Sequence, residues 1–112
     1  MRVKQSTVHN PRQLAKLLDS LIGLEGSVTW NPGSLVDSTG ETKSLTVAGA
    51  ALGDFVTVAP PCDCQDLVVT GYVQAANTVE IRVQNESGST VDLASGTWKV
   101  RVQSGTDMAA NA

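Results

Sequence analysis

Cys62 and Cys64, in the Pro-led loop Pro60-Pro61-Cys62-Asp63-Cys64, come nearest of all residues here to a chemical signature. Cysteines two apart rarely bridge each other without strain, because a disulfide restricts the Cα separation and the Cβ directions. A zinc ion wants about four ligands, and the chain adds only His9, far away in sequence. A metal shared between symmetry-related subunits is the sharper reading; two reduced thiols in a loop is the plainer one and is favoured. Asp63 with Asp66 forms a carboxylate pair of the kind used for general acid and base work. In an acidic, turn-rich chain such a pair is expected as solvated loop charge. His9 lies in a polar stretch where a general base would be poorly fixed. There is no Gly-x-Ser-x-Gly elbow, no phosphate loop and no His-x-x-x-His pair. Catalysis needs convergent titratable groups, so the chain reads as non-enzymatic, with no catalytic residue, metal or cofactor assigned. Trp30 and Trp98 could stack on sugars, yet both fall in the inward phase of their strands and are expected in the core. Tyr72 is left as the aromatic candidate for a solvent-facing platform.

The elements that carry these residues run from Leu45 to Val102. In Asn77–Val83 the residues Val79, Ile81 and Val83 alternate with Thr78, Glu80 and Arg82, and in Thr97–Val102 Trp98, Val100 and Val102 alternate with Lys99 and Arg101. A two-residue period puts the apolar set on one face, as in antiparallel strands covering a core on one side. Short runs of this kind, spaced by Gly, Pro and Asn turns, predict an antiparallel β-sandwich, jelly-roll-like or a small barrel. Val28 and Trp30 open it, before the turn Asn31-Pro32-Gly33. Asp37-Ser38-Thr39-Gly40 turns into Glu41–Val47, with Leu45 and Val47 inward. Gly49 and Gly53 are expected at positive φ. Phe55–Ala59 is a strand ended by Pro60-Pro61, neither of which can donate to a ladder. Leu67–Val73 is apolar on both faces, which predicts a central strand or one covered by a neighbouring subunit. Ala75-Ala76-Asn77 turns as a hairpin into the next strand, Asn85–Gly88 turns again, and Val91 and Leu93 touch the core.

Ahead of this domain the sequence predicts one short N-terminal α-helix over residues 10–25. Asn10 is a favoured N-cap, Pro11 suits the first helical position and Gln13 sits at the capping-box position. Leu14, Leu17, Leu18, Leu21 and Leu24 form an apolar stripe with heptad character, which Gly23 or Gly26 would end. Either the stripe packs on its own β-domain or it forms a parallel bundle at a symmetry axis; the bundle is favoured because the segment is terminal. Residues 1–9 read as an extended basic arm, 26–103 as the β-domain and 104–112 as a disordered polar tail.

The 112 residues bound this to a single domain with an appended element, too small for a large core and helped by oligomerisation. Net charge is −3, but its distribution is uneven: Arg2, Lys4, Arg12 and Lys16 are half of the basic residues, while from Gly26 onward nine acids face four bases. That balance does not favour nucleic acid. It suits a basic arm, with Arg2, Lys4 and Arg12 as docking residues for an acidic surface, although a solvated terminus would look the same. No apolar run approaches the roughly 20 residues that span a bilayer, and no secretory signal follows the charged N-terminus.

The segments TVAGAALGDFVTVAPP and GYVQAANTVEIRVQNESGSTVDLASGTWKVRV resemble a small β-domain of tailed-bacteriophage virion proteins. The shared pattern is a Thr-Val-x-Gly-Ala turn, Leu-Gly-Asp before a strand, Ala-Ala-Asn-Thr-Val, an Asn-rich turn and Asp-Leu-Ala-Ser-Gly-Thr. WNPGSLVDSTGETKSLTV is similar to that family's first strands. The resemblance covers about Ser27–Val102 and consists of turn and strand motifs. It implies a trimeric, non-enzymatic component on the outside of a particle, and it carries no site residue over.

Three functions follow as expectations. The first and favoured one is a trimeric capsid-decorating cement protein or head fibre, bound to the major capsid protein or another virion protein. It would be assembled in the host cytoplasm and found in the virion. The second is a tail fibre or tail-tip module binding a host surface receptor through loops such as Pro60–Asp66. The third is a carbohydrate-binding module with no virion role.

Overall fold

The alternating runs of the sequence become strands in the computed structural model, which describes residues 23–105. There are eight: β1 (Leu24–Trp30), β2 (Gly33–Leu35), β3 (Gly40–Thr46), β4 (Phe55–Ala59), β5 (Val68–Ala75), β6 (Thr78–Gln84), β7 (Val91–Leu93) and β8 (Gly96–Gln103). No helix occurs among the described residues. All pairings are antiparallel, in three sheets ordered β1-β8-β4, β2-β7 and β3-β6-β5. The chain is therefore mainly β.

The two strands with the cleanest alternation take the middle of the three-stranded sheets. Trp98, Val100 and Val102 of β8 and Val79, Ile81 and Val83 of β6 are all buried, and Thr97, Lys99 and Arg101 between the β8 residues are exposed. One apolar cluster joins these to Trp30, Leu35, Leu45, Val73, Val91 and Leu93. The sheets approach most closely where the sequence supplies glycine. A Cβ on Gly26 of β1 would lie 2.7 Å from Val47 Cγ2, and one on Gly71 of β5 would lie 2.6 Å from Val58 Cγ2 and 2.9 Å from Val56 Cγ1. All three distances are too short for a side chain, so β1 nears β3 and β4 nears β5 across these two positions. Trp30 and Trp98 meet inside with ring centroids 5.0 Å apart and planes tilted by 56°, a favourable tilted aromatic arrangement.

The turns are fixed by side chains. Asn77, at φ 64, clasps the β3–β4 loop: its Oδ1 accepts from Gly49 N at 2.8 Å, its carbonyl accepts from Val47 N and its N–H donates to Ala50 O. Gly49 there has φ 94, the left-handed backbone open to glycine at no steric cost. Asp54 receives Ala51 N on one oxygen and Gly105 N on the other, both at 3.0 Å. At the other end Asn85 is fully buried. Its Nδ2 donates to Leu35 O and Ser89 O, each at 2.8 Å, and its Oδ1 accepts from the N–H and hydroxyl of Ser87.

Three expectations change. Leu24 and Glu25, assigned to the end of a helix, are the first residues of β1, in register with Val102 and Arg101. Gly23, at φ 86, is not helical, and Leu24 packs beside the core and against Gly49. The apolar strand over Leu67–Val73 is not central: β5 lies at the edge of its sheet, with Val68 and Tyr72 exposed on the outer face. Of the two readings the central one falls, because within one chain only the face carrying Val69 and Val73 packs inward. Third, the polar tail is anchored at its start, through the Gly105–Asp54 bond. Residues 1–22 and 106–112, including Arg2, Lys4, His9, Arg12, Leu14, Leu17, Leu18 and Leu21, lie outside the described residues.

Candidate functional site

The strand register sets out the outer face of the β1-β8-β4 sheet in rows. Ser27, Lys99 and Ala59 lie side by side, then Glu25, Arg101 and Thr57, then Gln103 and Phe55. Ser27, Thr57 and Ala59 on the flanking strands leave room beside the long side chains of β8, and the result is a shallow groove of about 590 Å³, within the range of small-ligand sites. Gly26 and Val100 contribute to its lining. Arg101 Nη2 pairs with Glu25 Oε2. That hydrogen bond, then the guanidinium charge, hold the Glu25 carboxyl below the usual carboxylate range, and Lys99 adds to the effect at longer range. The Lys99 side chain makes no hydrogen bond or ion pair among the described residues. Phe55, 66 % exposed, does not line the groove but stands beside its Gln103 end, in register with Gln103.

The opposite outer face, on β3-β6-β5, is closed on itself by hydrogen bonds. Tyr72 Oη donates to Glu80 Oε1, and Ser44 Oγ donates to Glu80 Oε2 at 3.5 Å. Arg82 donates to Thr42 Oγ1 at 3.2 Å and to Gln84 Oε1 at 2.6 Å, and Gln84 donates on to Glu86. The hydrogen bond to the Glu80 carboxylate, with lesser help from desolvation and the carboxylate charge, pushes the Tyr72 phenol above its ordinary value of 10.0.

The cysteine loop lies at the Gly96 end of β8, where Pro61 abuts Gly96. Both thiols are free, Cys62 exposed and Cys64 half-buried against the core. Burial, then the nearby Cys62 and Asp63, raise the Cys64 thiol above its ordinary value. Asp63 Oδ1 is engaged by Gln65 N at 3.0 Å, and Gln65 and Asp66 both take positive φ, 51 and 71. Among the described residues no group of three or more His, Cys, Asp or Glu is placed to hold a metal, so the structure does not gather the two cysteines and the Asp63/Asp66 pair into one centre. Trp30 and Trp98 are core residues, as expected from their phase.

Sequence reasoning missed the groove and Phe55. The signal was present: Val56 and Val58 alternate with Phe55, Thr57 and Ala59, which fixes Phe55 on the face of the smaller, more polar set. Compared with known proteins, the chain matches no family model, no curated protein and no solved structure.

Proposed function

We propose that this chain is a non-enzymatic structural protein of a tailed-bacteriophage virion, decorating the capsid as a trimeric cement protein or head fibre. In this reading the β-domain is a two-layer antiparallel sandwich, β1-β8-β4 over β3-β6-β5. The observation that carries it is the use the fold makes of the motifs behind the resemblance. Thr46–Ala50 and Ala75–Val79 meet in the Asn77 clasp, and Leu52-Gly53-Asp54 forms the turn that Asp54 bonds. Scattered turn motifs that meet one another in space are what a shared scaffold requires, and sites are grafted onto such scaffolds separately.

The chain ends support the division of labour. β1 begins and Gly105 is bonded at the Gln103 end of β8, whereas the Cys62–Cys64 loop lies at the Gly96 end, about 23 Å away at strand rise. A subunit held at its N-terminal segment therefore presents the other end and both sheet faces outward. Leu14, Leu17, Leu18 and Leu21 are assigned to subunit association, with Leu24 removed from the set, and Arg2, Lys4 and Arg12 to the particle surface. Many copies on one shell share the load, so each contact can be small.

Deleting residues 1–9 tests this. Co-sedimentation with purified phage heads is expected for the full chain and lost for the deletion, with native mass unchanged. Undiminished binding by the deletion would overturn the docking role of the arm.

A further inference from the structure

We infer that the groove on the outer face of β1-β8-β4 binds a short acidic saccharide, with Lys99 receiving its carboxylate and Phe55 carrying a sugar ring. This inference stands apart from the virion reading and is tested separately.

Charge gives the first argument. From Gly26 onward the chain has only four basic residues, and two of them, Lys99 and Arg101, stand on the same face of β8. Successive residues on one strand face are roughly 7 Å apart. Arg101 is held by Glu25, so the pair offers a fixed donor and acceptor to hydroxyl groups, while Lys99 keeps an ammonium with no ion-pair partner among the described residues. Lys99 and Arg101 against Glu25 leave one net positive charge in the groove, which matches a ligand with one negative charge and is too little for a dense polyanion such as nucleic acid.

The lining, and Phe55 beside it, give the second. Ser27, Thr57 and Gln103 supply hydroxyl and amide groups, which match a ligand rich in hydroxyls. Phe55 shares a row with Gln103 and is 66 % exposed, offering an apolar ring face to the C–H side of a sugar. From the Gln103 row to the Lys99 row is about 13 Å along the strand, the reach of an oligosaccharide and not of a single small anion. Tyr72, on the opposite face, does not offer this combination, because its hydroxyl is committed to Glu80.

The test uses the full chain, isotope-labelled and followed by amide NMR. The probes are sialyllactose and an aldobiouronic acid, each with one carboxylate, with lactose as neutral control and inorganic phosphate as bare anion. Shifts are expected at Ser27, Thr57, Lys99, Arg101 and Gln103 with at least one acidic sugar, and not with lactose or phosphate. Lys99→Ala should weaken that binding roughly tenfold, the usual scale for losing a hydrogen bond to a charged group. Phe55→Ala should weaken it as well, and both exposed sites should leave the fold unchanged. Absence of shifts, equal response to lactose or phosphate, or indifference to Lys99→Ala would overturn the inference. So would a Lys99→Glu variant whose native mass changes, because the face would then be an interface between copies of this chain.

Discussion

Asn85 illustrates how much one polar side chain can hold. It is completely buried, yet both amide hydrogens and the amide oxygen are bonded, and its own backbone N–H and carbonyl reach Thr39 O and Ser38 N. Removing such a group leaves buried partners unsatisfied. Asn85→Ala should therefore cost about 2–3 kcal/mol by chemical denaturation. Asn85→Asp would turn a carboxylate oxygen toward the carbonyls of Leu35 and Ser89, disfavouring its charged form. Its carboxyl would titrate higher folded than unfolded. The penalty should therefore be small in acid and grow as pH rises past about 4, the unfolded value. A penalty that did not vary with pH would contradict this account. Tyr72 gives a second titration, read from the single tyrosine of the chain. Because Glu80 holds the neutral phenol, its folded value is raised, so the stabilisation is present below 10.0 and lost as pH climbs through the raised value. Absorbance titration should show a midpoint above 10.0 that falls back in Glu80→Gln; a midpoint that does not move would refute the pairing.

Among the elements, β5 and β8 show what period-two reading does and does not reveal. The alternation in β8 and β6 gave strand, face and burial together, because a strand with one apolar face has only one way to turn it. It did not say which strand lies opposite. That is why the sequence leaves β5 either central or covered by a neighbouring subunit, while in the fold it stands at an edge, and why the close approach at Gly26 and Gly71 is invisible. A glycine in a strand pattern marks such an approach only once the facing residue is known. Leu24 was misassigned for a related reason: a leucine three residues after Leu21 fits a helical stripe and a strand equally well. Of the groove, Lys99 and Arg101 were legible as exposed partners in β8, whereas Glu25, Ser27 and Thr57 come beside them only through strand pairing. Phe55 was legible from the phase of β4. The packing claim is testable. Gly71→Val should destabilise by about 1–3 kcal/mol through overpacking against Val56 and Val58, while Thr70→Ala on the outer face should change stability by less than about 0.5 kcal/mol. Equal effects would contradict the facing of β4 and β5.

For the whole molecule, the described domain has a small core of valines, leucines, one isoleucine, one alanine and two tryptophans, and β1 begins at the end where Gly105 is bonded. In the proposed particle-bound role, association would help a protein of this size, since shared burial adds to a limited core and several arms act together. The proposed function makes the protein a symmetric trimer built through Leu14, Leu17, Leu18 and Leu21. The most direct measurement is the native mass of the purified full chain by light scattering, repeated for a Leu17→Glu, Leu21→Glu variant. The account predicts three times the mass of one chain, falling to one in the variant with its β-sheet signal intact, because buried unpaired charges disfavour association. A native protein with the mass of one chain, or a variant that keeps the trimer mass, would contradict it.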